Sequence, residues 1–393
     1  MRQHLEHLAA ALAALGFAVF ISYFNTGAHA VTFRKLPTPT PTTPIAIPDT
    51  AYTPTLIPDL VTPSATREPA PAVPIPKAKP KPKIVPQKPM PASAPSVTFT
   101  KETATSTVSI SDSSTLLSRL SGSVVNILCI SHKPPLRGTS GTGVIIDSRG
   151  MILTVAHVAQ TMLLEETLGS KVVSCTIRTG SPATTAYHAK LVYISSEWLH
   201  ANSTTLITTQ PTGTGENDFA LLAITSSATS ATLPTSFPAV QLSTKIPDID
   251  SAVGIGSYGA QYLTSTEVRY RLLPTLVMGV IHDVFTFTSY TPDVLSVLGG
   301  KAAQEGSSGG AIVNEQAKLV GIITTSEISG DESTRKLRAI TTGHMIRSYE
   351  QATAKDFFSN YANKSLEASV SEYADTVQTL GTYLAGAIGL SAN

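Results

Sequence analysis

Glu305, Gly306, Ser307, Ser308, Gly309 and Gly310 set a hydroxyl among residues of little bulk, just before the apolar run Ala311, Ile312, Val313. Glycines permit a sharp turn and close backbone approach. The segment therefore predicts that Ser308 Oγ projects while the amides of Gly306 and Ser308 converge on a developing oxyanion. A hydroxyl needs a base to take its proton. Thr154, Val155, Ala156, His157 and Val158 supply one at the end of an apolar strand, where a largely neutral imidazole could accept the serine proton and return it to a leaving amine. Asn217, Asp218, Phe219, Ala220, Leu221 and Leu222 put a carboxylate at the head of another apolar run. A buried Asp218 requires a partner. Accepting an imidazole N–H would hold His157 in the tautomer whose other nitrogen faces Ser308, and would stabilise imidazolium during transfer. Taken singly, each segment also fits a plain structural role: a Gly-Ser turn, a hydrogen-bonded core histidine, a turn-forming or solvent-facing aspartate.

The elements around these segments read as short strands. From Ser123 the chain turns β-branched, beginning with Val124, Val125, Ile127, Leu128 and Ile130. Val144 to Ile146 and Met151 to Val155 flank Asp147, Ser148, Arg149 and Gly150, a composition suited to a tight antiparallel connection. Further strands are expected at 171–178, 187–194, 218–224, 250–256, 276–287, 311–314, 318–325 and 337–341. They do not alternate regularly with helical stretches, so barrels or a sandwich fit better than a doubly wound α/β domain. Residues 346–393 are more helical in composition, with Phe357, Phe358, Tyr361 and Leu366, then Leu380, Tyr383, Leu384 and Ile388.

The order His157, Asp218, Ser308, in segments reading TVAH, DFAL and GSSGG, resembles the trypsin-like serine peptidases. The resemblance covers roughly residues 120–345. Within it, GTGVIIDSRGMILTVAHV is similar to the HtrA-like branch of envelope peptidases. What the resemblance implies is an all-β fold of two six-stranded antiparallel barrels of the chymotrypsin type, with the site between them and a short helical C-terminal extension. The implied activity is that of a serine endopeptidase. Many HtrA-like relatives carry a downstream PDZ domain, whereas residues 346–393 show no barrel pattern, which sets peptide-gated regulation and a chaperone role aside. Position by position, the resemblance puts Ala302 at the base of the primary specificity pocket, with Ala303 beside it and Ser326 on the neighbouring strand. No charge lies among them, so cleavage is expected after small or medium apolar residues. Ser307 stands where digestive relatives have an aspartate that pairs with a new amino terminus; that ion pair has no acid here.

Composition sets the remaining bounds. The chain has 393 residues, with 28 Lys plus Arg against 27 Asp plus Glu, a balance that gives no electrostatic reason to expect nucleic acid. Leu8 to Phe24 is a charge-free, mostly apolar run, and Ala28, His29, Ala30 fit a processing site, so residues 1–30 read as a signal peptide or an N-terminal membrane anchor. Between Pro37 and Pro95 stand 18 prolines in 59 residues. The stretch 31–112 accordingly reads as a disordered Pro/Thr/Lys-rich linker, either a spacer or a docking sequence for proline-recognising modules. The peptidase domain is expected at 113–345 and the helical extension at 346–393, with the bulk of the chain beyond the cytoplasm.

Cys129 and Cys175 fall on two expected strands of the first barrel, where a disulfide and two free buried thiols both fit. Their spacing, and the scatter of His132, His188, His200, His282 and His344, do not make a metal centre, so no metal and no cofactor are expected. The expected partners are protein or peptide substrates, and a membrane if residues 8–24 are retained. The competing function is a catalytically inactive, peptidase-fold binding module of the cell envelope.

Overall fold

A computed structural model describes residues 34–35, 110–208, 215–287, 290–326, 331 and 334–390. The export or anchor segment and all but the ends of the linker (34–35 and 110–112) lie outside them. Among the described residues no helix is long and apolar enough to cross a membrane.

The first barrel is built from β1 (Val124–Ser131), β2 (Thr139–Asp147), β3 (Met151–Thr154), β4 (Val173–Thr179), β5 (Thr184–Ile194) and β6 (Ala220–Ser227). They close antiparallel in the order β1-β2-β3-β6-β5-β4. The second contains β7 (Ala252–Ser257), β8 (Thr275–Thr286), β9 (Val294–Leu298), β10 (Ala311–Val313), β11 (Leu319–Ser326) and β12 (Lys336–Thr341). It repeats that order as β7-β8-β9-β12-β11-β10, with β10 returning to β7. A two-residue strand, Arg34–Lys35, lies along the end of β8. Both barrels of the chymotrypsin type are thus present. Closure leaves few edges, and the inward side chains of both barrels are almost wholly buried.

Several elements depart from the sequence expectations. β9 falls where no strand was expected, and β2 begins five residues before Val144. Helix α1 (Ile110–Ser123) precedes the first barrel. Its Leu116 and Leu120, one turn apart, lie against Gly254 and Gly256 of β7, where a Cβ would come within 2.2 Å and 2.9 Å of them. Helix α2 (Ala156–Leu168) follows β3 at once, and short helices α3 (Ser196–Ala201) and α4 (Ser265–Tyr270) occupy two connections. The C-terminal helices α5 (Thr342–Thr353), α6 (Phe357–Ala362) and α7 (Leu366–Ala387) begin directly at the end of β12. They pack on the first barrel: Tyr373 of α7 donates its hydroxyl to the Ile194 carbonyl (3.0 Å) and accepts from the Ile194 amide (3.1 Å).

The β2–β3 connection is the tight turn that its composition requires. Asp147 accepts from the Arg149 amide (2.8 Å), and Gly150 donates to the Asp147 carbonyl (2.9 Å). Arg149 then donates to the carbonyls of Tyr361 and Lys364, fastening the turn to the C-terminal helices. Cys129 and Cys175 are directly opposed on β1 and β4 and form a disulfide.

At the far end of α2, Glu165 accepts from the Cys175 amide (3.0 Å) and Glu166 from the Leu191 amide (2.7 Å), tying the helix to β4 and β5. Burial pushes the Glu166 carboxyl from 4.5 up to about 7, with the Leu191 amide opposing the shift. The folded chain therefore keeps a proton that the unfolded chain releases. Its stabilising contribution is full below pH 4.5 and lost as pH rises through about 7. Thermal melts across that window should show wild type losing on the order of 2 kcal/mol relative to Glu166→Gln, which keeps the amide acceptor without the titration.

Candidate active site

β3 ends at Thr154, and the chain turns through Val155 into the first turn of α2, which carries His157. The first amides of a helix have no acceptor within it, and Val155 offers no side-chain cap. Asp218 fills that gap from just before the neighbouring strand, β6 (Ala220–Ser227). Its Oδ1 accepts from the His157 amide (2.9 Å), and its Oδ2 lies 2.8 Å from His157 Nδ1. An ionised carboxylate only accepts, so Nδ1 carries the proton and Nε2 occupies the opposite edge of the ring. The Asp218 side chain is 6% exposed and that of His157 13%, which leaves little water to compete with the pair. A carboxylate is also favoured at a helix N-terminus.

The turn that delivers Asp218 is compact. Gly215 and Asn217 both have positive φ, at 74° and 60°; the Asp218 amide donates to Gly215 (3.2 Å) and the Phe219 amide to Asn217 (2.8 Å). β6 begins at Ala220, hydrogen-bonded beside Thr154, so the strand register brings the two segments together.

The loop carrying Ser308 approaches from the second barrel. Thr142 of β2 receives it with two bonds: its amide donates to the Ser308 carbonyl (2.8 Å) and its hydroxyl donates to the Gly306 carbonyl (2.9 Å), while the same hydroxyl accepts from the Tyr258 amide of the β7–β8 connection (2.9 Å). The Thr142 carbonyl accepts from Thr154 Oγ1 (2.7 Å), three residues before His157. Gly309 has φ of 85°, and a Cβ there would stand 1.9 Å from the Thr142 carbonyl oxygen, so only glycine permits this approach. Ser308 itself is half-buried. The Glu305 carbonyl accepts from the Ala260 amide (2.7 Å), which turns the N–H of the Glu305–Gly306 peptide the opposite way.

Ser307 points inward and is fully buried; its hydroxyl donates to the Ala302 carbonyl (2.6 Å) and accepts from Ser257 (3.2 Å). Ala302 and Ala303 are fully buried in the apolar core of the second barrel, in one cluster with Leu337. Ser326 ends β11, half-buried, and registers opposite Leu337. Thr142, Asn217 and Ser348, whose hydroxyl donates to the Asn217 side chain, had no sequence signal as site residues. Thr142 does lie within the segment similar to the HtrA-like branch. Among the described residues there is no cluster of side chains able to hold a metal.

The family model described as Trypsin matches residues 130–349, more than half of the chain. The chain belongs to the trypsin family. It is a serine-type endopeptidase. No curated protein shows significant sequence similarity to it. Among solved structures, the active form of the Rv3671c protease from M. tuberculosis is similar at 17% identity with a TM-score of 0.38, covering 67% of this chain and 96% of that one. Deg5 is similar at 16% identity with a TM-score of 0.41, covering 62% and 95%.

Burial pushes the Glu305 carboxyl up to about 8, and its Oε2 meets no hydrogen-bond partner among the described residues. Glu305 is then neutral at neutral pH and acquires a charge one residue from Gly306 as pH rises through about 8. On the expectation that the Gly306 amide faces a developing oxyanion, a negative charge there would oppose it. The profile of kcat/KM against pH should fall on its alkaline side near that value, by about tenfold, and Glu305→Gln should remove the fall.

Proposed function

We propose that this trypsin-family endopeptidase works through Ser308 as nucleophile, His157 as general base and acid, and Asp218 as the group that orients and stabilises the imidazole. The observation that carries the reading is the double acceptance by Asp218 from the ring and the amide of His157. That contact fixes the tautomer in which Nε2 is basic, the form that a hydroxyl nucleophile requires. The Thr142 contacts, which draw the Ser308 loop onto β2 beside Thr154 of the strand leading to His157, support the same assignment.

In the proposed reaction Ser308 Oγ attacks the peptide carbonyl carbon as its proton passes to His157 Nε2. The carbonyl oxygen becomes an oxyanion facing the amides of Gly306 and Ser308. Collapse expels the amine, which takes the proton from His157. Water then attacks the acyl carbon as its proton passes to the same nitrogen, and collapse breaks the bond to Ser308 Oγ, which takes that proton back as the acid leaves.

Cleavage after small or medium apolar residues is supported by the absence of charge at Ala302, Ala303 and Ser326 and by the bulk of Leu337 in the cluster holding both alanines. Residence outside the cytoplasm is supported by the Cys129–Cys175 disulfide and by the apolar run Leu8 to Phe24 with its processing-like Ala28, His29, Ala30. In this reading residues 31–112 tether the peptidase domain to that segment.

Labelling by a fluorophosphonate probe should occur in wild type and vanish in both Ser308→Ala and His157→Ala. A folded, unreactive wild type would instead favour the binding module. Leu337→Ala should move the preferred residue before the scissile bond from alanine or valine size toward leucine or phenylalanine, by about tenfold in relative kcat/KM, in a peptide-library cleavage profile.

A further inference from the structure

The two residues that flank Asp218 are linked to the C-terminal helices, Asn217 directly and Phe219 through Tyr193 of β5. Asn217, held at a positive φ and almost wholly buried, accepts through Oδ1 from Ser348 Oγ of α5 (2.5 Å) and donates through Nδ2 to Glu197 of α3 (3.0 Å). Its side chain is thus gripped at both ends, and an amide is the group that can accept at one end and donate at the other. On the other side of Asp218, Phe219 stacks on Tyr193 (5.4 Å between ring centroids), and Tyr193 meets Tyr349 edge-on (4.9 Å). Tyr349 follows Ser348 directly and packs in turn on Phe357 and Tyr361 of α6. One turn of α5 therefore holds position 217 directly, by a hydrogen bond, and position 219 indirectly, through the Tyr193 ring of β5, with the carboxylate residue between them.

We propose that α5 is the mount of the Asp218 carboxylate, with Ser348 acting through Asn217 as a positioning residue. The C-terminal extension then serves the site from behind the first barrel, by setting how Asp218 meets the ring and amide of His157. The inference rests on the reading of His157, Asp218 and Ser308 as the reacting constellation. Its physical basis is that a carboxylate sharing two donors tolerates little rotation. Both Asp218 bonds lie near 2.8–2.9 Å, so a displaced 217–219 turn would lengthen at least one of them. A carboxylate that no longer faces Nδ1 stabilises imidazolium less, which lowers the basicity of the ring and the rate of proton transfer together.

The test uses the full chain. Ser348→Ala should reduce kcat/KM and the rate of fluorophosphonate labelling by about tenfold with KM little changed, and should shift the acid limb of the kcat/KM profile to lower pH. Ser348→Thr, which restores a hydroxyl, should recover both the rate and the limb. Asn217→Gly, compatible with the positive φ but unable to bridge, should reproduce the loss. In an Asp218→Asn background, Ser348→Ala should cost little more, because the group it positions has already been altered. An unshifted acid limb in Ser348→Ala, or losses that simply multiply with Asp218→Asn, would overturn the proposal. Persistent labelling in Ser308→Ala or His157→Ala would instead overturn the underlying reading, whatever Ser348 does.

Discussion

A buried carboxylate must be given donors, and here the donors belong to the residue that it is placed to serve. Asp218 receives the ring and the amide of His157, so one interaction satisfies an anion, caps a helix that lacks its own cap, and fixes an imidazole. The remaining features of the site follow from keeping that pair in register. α2 must begin immediately after β3, because a longer connection would carry the His157 amide away from the β6 end of the barrel. β6 must begin just after Asp218, because Ala220 and Thr154 are paired.

The second requirement is that two separately closed barrels meet with little freedom. Thr142 provides one seam, receiving the Ser308 loop through backbone and side chain at a point where Gly309 removes the last obstruction. Arg178 of β4 provides another. It is buried, and among the described residues no carboxylate pairs with it; its guanidinium donates to Asn126 Oδ1 and to the carbonyls of Ala183, Val268 and Arg269, the last two at the C-terminal end of α4. Those carbonyls are the negative end of a helix, which offsets part of the cost of burying the cation. The Tyr258 hydroxyl adds a bond to the Gly180 carbonyl of the β4–β5 turn. The β7–β8 connection is consequently tied to the first barrel at both ends, and from it the Ala260 amide orients the Glu305 carbonyl. The peptide preceding Gly306 is thereby set by contacts that begin on the opposite barrel.

Much of this was legible in the residues, and the exceptions have physical causes. The strands around His157, Asp218 and Ser308 announce themselves because β-branched runs alternate with strong turn formers, and Asp147 to Gly150 specify their own turn. Helix α2 was not legible. Its residues from Val158 to Leu164 are all buried, between the first barrel and α7, so it lacks the polar face that would have given it a period of 3.6. β9 is only five residues long and has Ser296 at its centre, which breaks the apolar run. The residues alone do not decide between a disulfide and two thiols, because 46 residues separate the cysteines and only strand register makes them neighbours. Asn217 and Ser348 stand 131 positions apart, and each reads locally as a turn or helix-surface residue. No local pattern encodes a contact that exists only once two distant elements have packed.

The residue before Ser308 shows how a buried loop can be held without an ion pair. In an arrangement that depends on an aspartate meeting an ammonium, the loop is complete only when both charges are present, because either one alone is costly to bury. Ser307 replaces that dependence with two neutral bonds, to the Ala302 carbonyl and from Ser257, both made by residues of the second barrel itself. A neutral hydroxyl with its donor and acceptor capacity used carries little desolvation cost and needs no partner from elsewhere in the chain. The same bond joins the Ser308 loop to the segment carrying Ala302, so ordering one orders the other. The order of this loop therefore draws on neutral bonds within the folded second barrel and on its seam with the first.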